Sequence, residues 1–374
     1  MGRQFVGASL VQHACRSLAA VAEKSGAAGV SARRTIAAVA ASSAFFADAS
    51  DLLADNQPMR AYGACGFDAD GDGVDELFVC GFADANRLLK WDGRRVIDLC
   101  REDPAFAPLA DPDRLAIGCC AADINGDGRE ELYVLTSDAF AGAKRFSDRL
   151  FAFEGGRWHD LFADFEHAAV MNLVAGRSVA ALDRHGQGRY GFLLATYGGP
   201  SVLYEMDAHG RLFDMAETAQ LRFETGGRSL LVGPLFGSGP RPDVFCGNES
   251  DANYAFVNNG DGTFTEAAEA MGLADATQHA RGVAALDAGM MGQASGRFAL
   301  VIANWEGPGR LMVPRGSTRQ GWPTFVNAAP RLLNRPMRAR TVLACDFDHD
   351  GREEIFIHNM GHANLGFRVH SHGL

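Results

Sequence analysis

Apolar and polar positions alternate in short runs along most of this chain, and the runs break at clusters of Gly, Asp and Asn. Such period-two runs, rich in Val, Ile, Leu, Phe and Tyr, predict buried or half-buried β-strands, and the clusters between them predict turns. The order of elements then repeats. FDADGDGVDELFV from Phe67, ADINGDGREELYV from Ala122 and CDFDHDGREEIFI from Cys345 are near copies of one strand–loop–strand unit. LDRHGQGRYGFLLA from Leu182, GPLFGSGPRPDVFC from Gly233 and LDAGMMGQASGRFALVIA from Leu286 are degenerate copies of it. The first loop positions, Asp68, Asp123, Asp183, Pro234, Asp287 and Asp346, are spaced by 55, 60, 51, 53 and 59 residues. Self-similarity at such a period is the mark of a repeat architecture.

Each unit predicts four strands. One precedes the loop, as in GRSVAALD from Gly176, and one follows it, as in ELFVCGF. A third ends in a Gly-containing turn, as in DRLFAFEGG from Asp148, which is a hairpin signal. The fourth is an apolar or aromatic residue, any residue, then an acid or amide: Val96-Ile97-Asp98, Trp158-His159-Asp160, Phe264-Thr265-Glu266. The sixth unit reaches the chain end after its third strand, while the stretch from Phe46 to Asp55 echoes the stretch from Phe264 to Asp275. The expected fold is therefore all-β: a β-propeller of four-stranded blades, six in number with seven as the alternative, closed by an N-terminal strand completing the last blade. Residues 45–374 form the propeller and residues 1–44 an N-terminal targeting or helical extension.

Composition narrows the partners. The formal net charge is −11, and clustered positive charge, which a phosphate backbone requires, is missing, so nucleic acid is excluded as a partner. No run reaches the length of a membrane span. Eight cysteines show no C-x-x-C pair and sit beside apolar strand residues, as in Leu-Phe-Val-Cys80, so they read as small buried hydrophobes.

The loops carry the clearest chemistry. Asp68, Asp70, Asp72 and Glu76 have D-x-D-x-D-G-x-x-E spacing; Asp123, Asn125, Asp127 and Glu131 repeat it, as do Asp346, Asp348, Asp350 and Glu354. Ca²⁺ takes six to eight oxygens and accepts the irregular cage that alternate side chains and one backbone carbonyl make. Val74, Arg129 and Arg352 would offer that carbonyl. About three Ca²⁺ sites are expected on this count of ligands. The alternative is a set of Asp/Gly turns in which side chains cap the backbone, and it suits the other three loops better.

With these phrases and NNGDGTF from Asn258, the chain resembles the FG-GAP/VCBS calcium-loop propellers, and in particular the cartilage acidic protein (ASPIC/UnbV-type) family. The similarity runs from about Phe45 to Arg368, and one departure is the fifth loop, which has lost its carboxylates. The resemblance implies calcium-stabilised binding or adhesion and no established catalytic residues.

Two further features remain. Six residues before four of the loops stand Arg177, Arg228, Arg281 and Arg340, which predicts guanidiniums at one end of the ring near the central channel. They read either as pairs that lock neighbouring blades or as an anion patch, with His279 as a titratable neighbour. Residues 1–44 hold Arg3, Arg16, Lys24, Arg33 and Arg34 against Glu23, a basic, Ser-containing composition that fits an organelle (mitochondrial or plastid) transit peptide; secretion is the alternative. The leading functional reading is a non-catalytic module that binds a protein or an acidic glycan. The alternatives are an accessory subunit of an organellar complex and a propeller-type polysaccharide lyase or hydrolase.

Overall fold

The computed structural model describes residues 48–368, apart from residues 238, 250, 294 and 295. Residues 1–44, with the expected transit peptide, lie outside the described residues. The chain is built almost wholly of antiparallel sheet, with a few one-turn helices between sheets. β1 (Ala61–Phe67), β2 (Glu76–Gly81), β3 (Arg87–Trp91) and β4 (Val96–Asp98) form the first sheet in that order. β5 (Ala116–Ala122), β6 (Glu131–Thr136), β7 (Arg149–Glu154) and β8 (Arg157–Asp160) form the second.

β9 (Gly176–Leu182), β10 (Gly191–Pro200), β11 (Val202–Met206) and β12 (Leu212–Asp214) repeat the order. So do β13 (Glu224–Gly233), β14 (Asp243–Asn248), β15 (Tyr254–Asn258) and β16 (Phe264–Glu266). These two units are joined where the end of β10 pairs with the start of β13, Tyr197 opposite Gly226. β17 (Ala280–Asp287), β18 (Phe298–Pro308), β19 (Arg310–Ser317) and β20 (Pro323–Asn327) form the next unit. It joins in the same way to β21 (Pro336–Cys345), β22 (Glu354–Asn359) and β23 (Leu365–Phe367). The strand–loop–strand repeat of the sequence is thus the first hairpin of each unit.

The cores lie between neighbouring sheets, and this explains the uninterrupted apolar runs of the second strands. Leu132 and Val134 of β6 pack toward the first sheet with Phe67, Phe78, Leu88 and Trp158, whereas Tyr133 and Leu135 pack toward the third with Phe162, Phe192 and Tyr204. A strand buried on both faces has no polar side to show, so alternation gives way to a continuous hydrophobic run. The inner strands pack on one another in sequence, β1 on β5, β5 on β9, β9 on β13, β13 on β17 and β17 on β21. Small residues permit that approach: a Cβ on Gly63 would lie 2.7 Å from Gly118 Cα, and one on Gly282 would lie 2.8 Å from Val342 N.

The segment before β1 docks as the inter-sheet links do. After each fourth strand the chain runs along the outer strand of the next sheet, seen where Trp158 N donates to Ala105 O and Phe264 N to Ala219 O. Ala54 N donates to Val96 O in the same fashion, with Leu53 bridged to Val96. The ion pairs agree. Asp111 holds Arg149 and Asp275 holds Arg310 at the start of the next sheet's third strand, and Asp55 lies against Arg87 at the equivalent place. Phe46 and Ala47, the first two residues of the expected closing strand, lie outside the described residues, and among the described residues no strand pairs with the outer edge of β23.

Candidate functional site

The three acidic loops adopt one geometry. In each, both oxygens of the first Asp accept backbone N–H groups across the turn. Asp68 takes Gly71, Asp72 and Gly73; Asp123 takes Gly126 and Gly128; Asp346 takes Asp350 and Gly351. The acid that opens the second strand returns one oxygen to the loop: Glu76 to Ala69 N at 2.9 Å, Glu131 to Ile124 N at 3.0 Å, Glu354 to Phe347 N at 2.9 Å. Gly71 and Gly73 carry φ of +81° and +82°, which a side chain resists; in the third loop His349 takes the first of these positions at φ 60°.

This bonding leaves the other oxygens facing inward. Asp68, Asp70 and Glu76 bring carboxylate oxygens within 4.8 Å of one another, and Asp346, Asp348 and Glu354 do the same. In the first loop the point of convergence is marked by an ammonium group from another strand. Lys90 Nζ of β3 lies 2.5 Å from Asp70 Oδ2, 2.7 Å from Asp72 Oδ2 and 2.8 Å from Glu76 Oε1. In the second loop the Asn125 amide nitrogen takes the corresponding place, 2.7 Å from Glu131 Oε1 and 3.1 Å from Asp127 Oδ2. In the third, Arg368 reaches Asp348 Oδ2 at 2.5 Å, while Glu354 Oε1 is buried without a hydrogen-bond partner.

An orphaned buried carboxylate oxygen beside two more carboxylates is a donor set that fits a hard cation. Electrostatics agree. Burial, with the Asp70 charge beside it, pushes the Glu76 carboxyl up to about 7 against the pull of Lys90. Burial, then the charges of Asp127 and Asp123, pushes Glu131 up to about 7. A divalent ion would neutralise the crowding that raises them. Asp68, Asp70, Asp72, Asp123, Asn125, Asp127, Asp346, Asp348, Asp350 and the three glutamates would supply side-chain oxygens, with carbonyls from Val74, Arg129 and Arg352.

The other three loops are shaped by hydrogen bonds across the turn. Asp183 accepts Gly188 N at 2.6 Å, Asp287 accepts Gly289 N at 2.8 Å, and the Pro234 loop is capped by Asp243, which takes Phe236 N and Gly237 N. His185 is an exposed turn residue. Six of the described cysteines are buried thiols, and burial pushes Cys100 and Cys246 up to about 12.

The first strands end in these loops at one end of the molecule and begin at the other, and there the four arginines meet. Arg177, Arg228, Arg281 and Arg340 line one cavity of about 1010 Å³, together with Tyr62 and Ile117, which hold the equivalent positions in the first two units. Arg228 and Arg281 share Glu249, one guanidinium on each carboxylate oxygen. That is the blade-locking arrangement for two of the four. Arg177 instead donates to Ser137 Oγ at 2.9 Å and to the carbonyls of Gly176, Ala139 and Phe140; Arg340 Nε points at Met360 Sδ. His279 is tied to the Glu249 carbonyl through Nδ1. Lys90 and Glu249 escape a repeat-based reading because neither lies in the repeated loop; a basic residue at the fourth position of the third strand was the available signal for the first.

No protein-family model matches the chain. Among solved structures, one of BBS1N in complex with ARL6DN aligns with a TM-score of 0.44 and 10% identity, over 82% of this chain and 80% of that one. The Dos1 propeller aligns at 0.45 and 12% identity, over 78% of this chain and 65% of that one. Sequence likeness goes further. Cartilage acidic protein 1 of Homo sapiens and of Xenopus tropicalis are each 39% identical to this chain over 340 aligned residues, and that of Mus musculus is 38% identical. The alignments cover 84% of this chain, which spans about half the length of these relatives, 50% of the human protein. At that identity the chain is a homologue of cartilage acidic protein 1 and belongs with it in one family.

Proposed function

We propose that this chain is a calcium-stabilised, non-catalytic binding module of propeller form, whose partner is a protein or an acidic glycan. The observation that carries the reading is the inward-facing carboxylate cluster, present in the first and third loops and left with a buried orphan at Glu354 Oε1. Ca²⁺ suits it better than Mg²⁺, because the ligands come at irregular angles from a turn and include a backbone carbonyl. The finer architecture belongs to the same proposal: six units in a ring, with Phe46-Ala47-Asp48 as the outer strand of the sheet that precedes β1. The docking of Leu53, Ala54 and Asp55 supports it. The relatives are named for cartilage, which supports secretion over an organellar location.

The test is a calcium titration followed by thermal melting. At 100 times its Kd, each bound ion stabilises the fold by about 2.7 kcal/mol. Asp70→Asn combined with Asp348→Asn is expected to remove most of that increment while leaving the melt in EDTA close to wild type. An increment of zero in the wild type, or one that survives both substitutions, would sink the calcium assignment.

A further inference from the structure

We propose that the arginine end of the central cavity is a binding site for a small oxyanion, with a dicarboxylate as the fitting class. Four guanidiniums converge there from four successive units. Among the described residues the carboxylates set against them are Glu249, already divided between Arg228 and Arg281, and Asp138 on the rim, which accepts the Arg145 N–H. Arg177 and Arg340 have no carboxylate partner among the described residues. The positive excess stands in a protein whose formal charge is −11, so it is a local feature and not a spill-over of composition.

The donors are built in and unfilled. Arg177 Nε, Arg228 Nη2 and Arg281 Nε are buried without hydrogen-bond partners. Leaving a buried charged donor unmade is costly, and three such donors on arginines that line one cavity leave the cluster short of acceptors. Aromatic rings fix the guanidinium planes. Arg228 lies 4.7 Å from the Tyr197 ring centre and Arg177 5.3 Å from that of Phe140, while Arg281 and Arg340 flank Trp305 at 5.0 and 5.2 Å. A guanidinium held by its face offers its edge, and an edge of parallel N–H groups matches the two oxygens of a carboxylate. Glu249 shows a carboxylate held here in bridging form, one oxygen to each of two arginines. Arg177 and Arg340 stand in units separated by two others, so each would take its own carboxylate, and this favours a ligand with two acid groups.

The cavity is under like-charge strain that such a ligand relieves. Burial, followed by the charge of Arg228, lowers the pKa of Arg177 and takes Arg281 down to about 10. The site lies at the opposite ends of the inner strands from the acidic loops, so it stands or falls independently of calcium.

Succinate is the probe, since it scarcely chelates calcium, and inorganic sulfate is the comparison. Isothermal titration of the full chain in calcium-containing buffer is expected to show one succinate bound. Arg177→Gln and Arg340→Gln are each expected to weaken it at least tenfold with an unchanged melt in the absence of succinate. Glu249→Gln, which removes a competing carboxylate, is expected to tighten it. Affinity unmoved by both arginine variants, or weakened by Glu249→Gln, would overturn the proposal and leave the cluster as an inter-blade lock. Sulfate binding without succinate binding would overturn the dicarboxylate assignment. Should a variant fail to fold, the wild-type melt decides: no upward shift at saturating succinate and constant ionic strength refutes the site.

Discussion

At the scale of single residues, the decisive neighbour of the first loop is Lys90. Its ammonium lies where a bound ion would sit, touching Asp70, Asp72 and Glu76. Burial opposes its charge, and the three carboxylates outweigh that, so its pKa is raised. A lysine in that place either waits for Ca²⁺ and swings out or serves as the permanent counter-ion. Lys90→Met separates the two. Without calcium the variant should lose on the order of 2 kcal/mol, less than a fully buried pair would cost because Lys90 keeps some exposure. With calcium it should bind more tightly than wild type at this loop, since the competitor is gone. An equal loss of melting temperature with and without calcium would mean that no ion enters the first loop.

At the scale of elements, the close approach of inner strands sets what the first strand of each unit tolerates. Gly282 has no room for a Cβ, with Val342 N at 2.8 Å and Thr341 Cα at 2.9 Å, both backbone atoms that cannot turn aside. Gly282→Val should cost about 1–3 kcal/mol through overpacking. Gly118, where a Cβ would meet Leu135 Cδ1 at 3.5 Å, should accept Ala within about 1 kcal/mol. Urea midpoints for the two variants check the contrast, and equal midpoints would refute it. The elements themselves were legible in the sequence because a hairpin, its loop and its turn are local: Asp68 to Glu76 dictate their own bonds. What escaped was set by partners far away in the chain. Lys90 answers a loop on another strand, Glu249 answers arginines of two units, and Asp55 answers Arg87 of the following sheet. A repeat shows which positions are equivalent, but not which of them a neighbour will fill.

At the scale of the whole molecule, the series of sheets holds through the cores between them, and a terminal sheet depends on whatever covers its outer side. For the first sheet that cover is the segment ending at Asp55. It contributes the Ala54–Val96 hydrogen bond of 2.8 Å, contacts from Arg87 to the Asp55 and Gln57 carbonyls, and an ion pair of Asp55 with Arg101. Removing residues 1–44 leaves all of these in place, whereas removing residues 1–56 takes most of them away and bares the edge of β4. The longer truncation should therefore cost about 2 kcal/mol more than the shorter one, from two or three lost hydrogen bonds to partly buried groups. Its first sheet should be cut sooner by a protease under native conditions. Equal stability of the two truncations would show that this segment merely lies on the first sheet. A loss already complete on removing residues 1–44 would move the lock upstream of Phe45. The predicted order, with the step between 44 and 56, makes the link into the first sheet a structural member of that sheet.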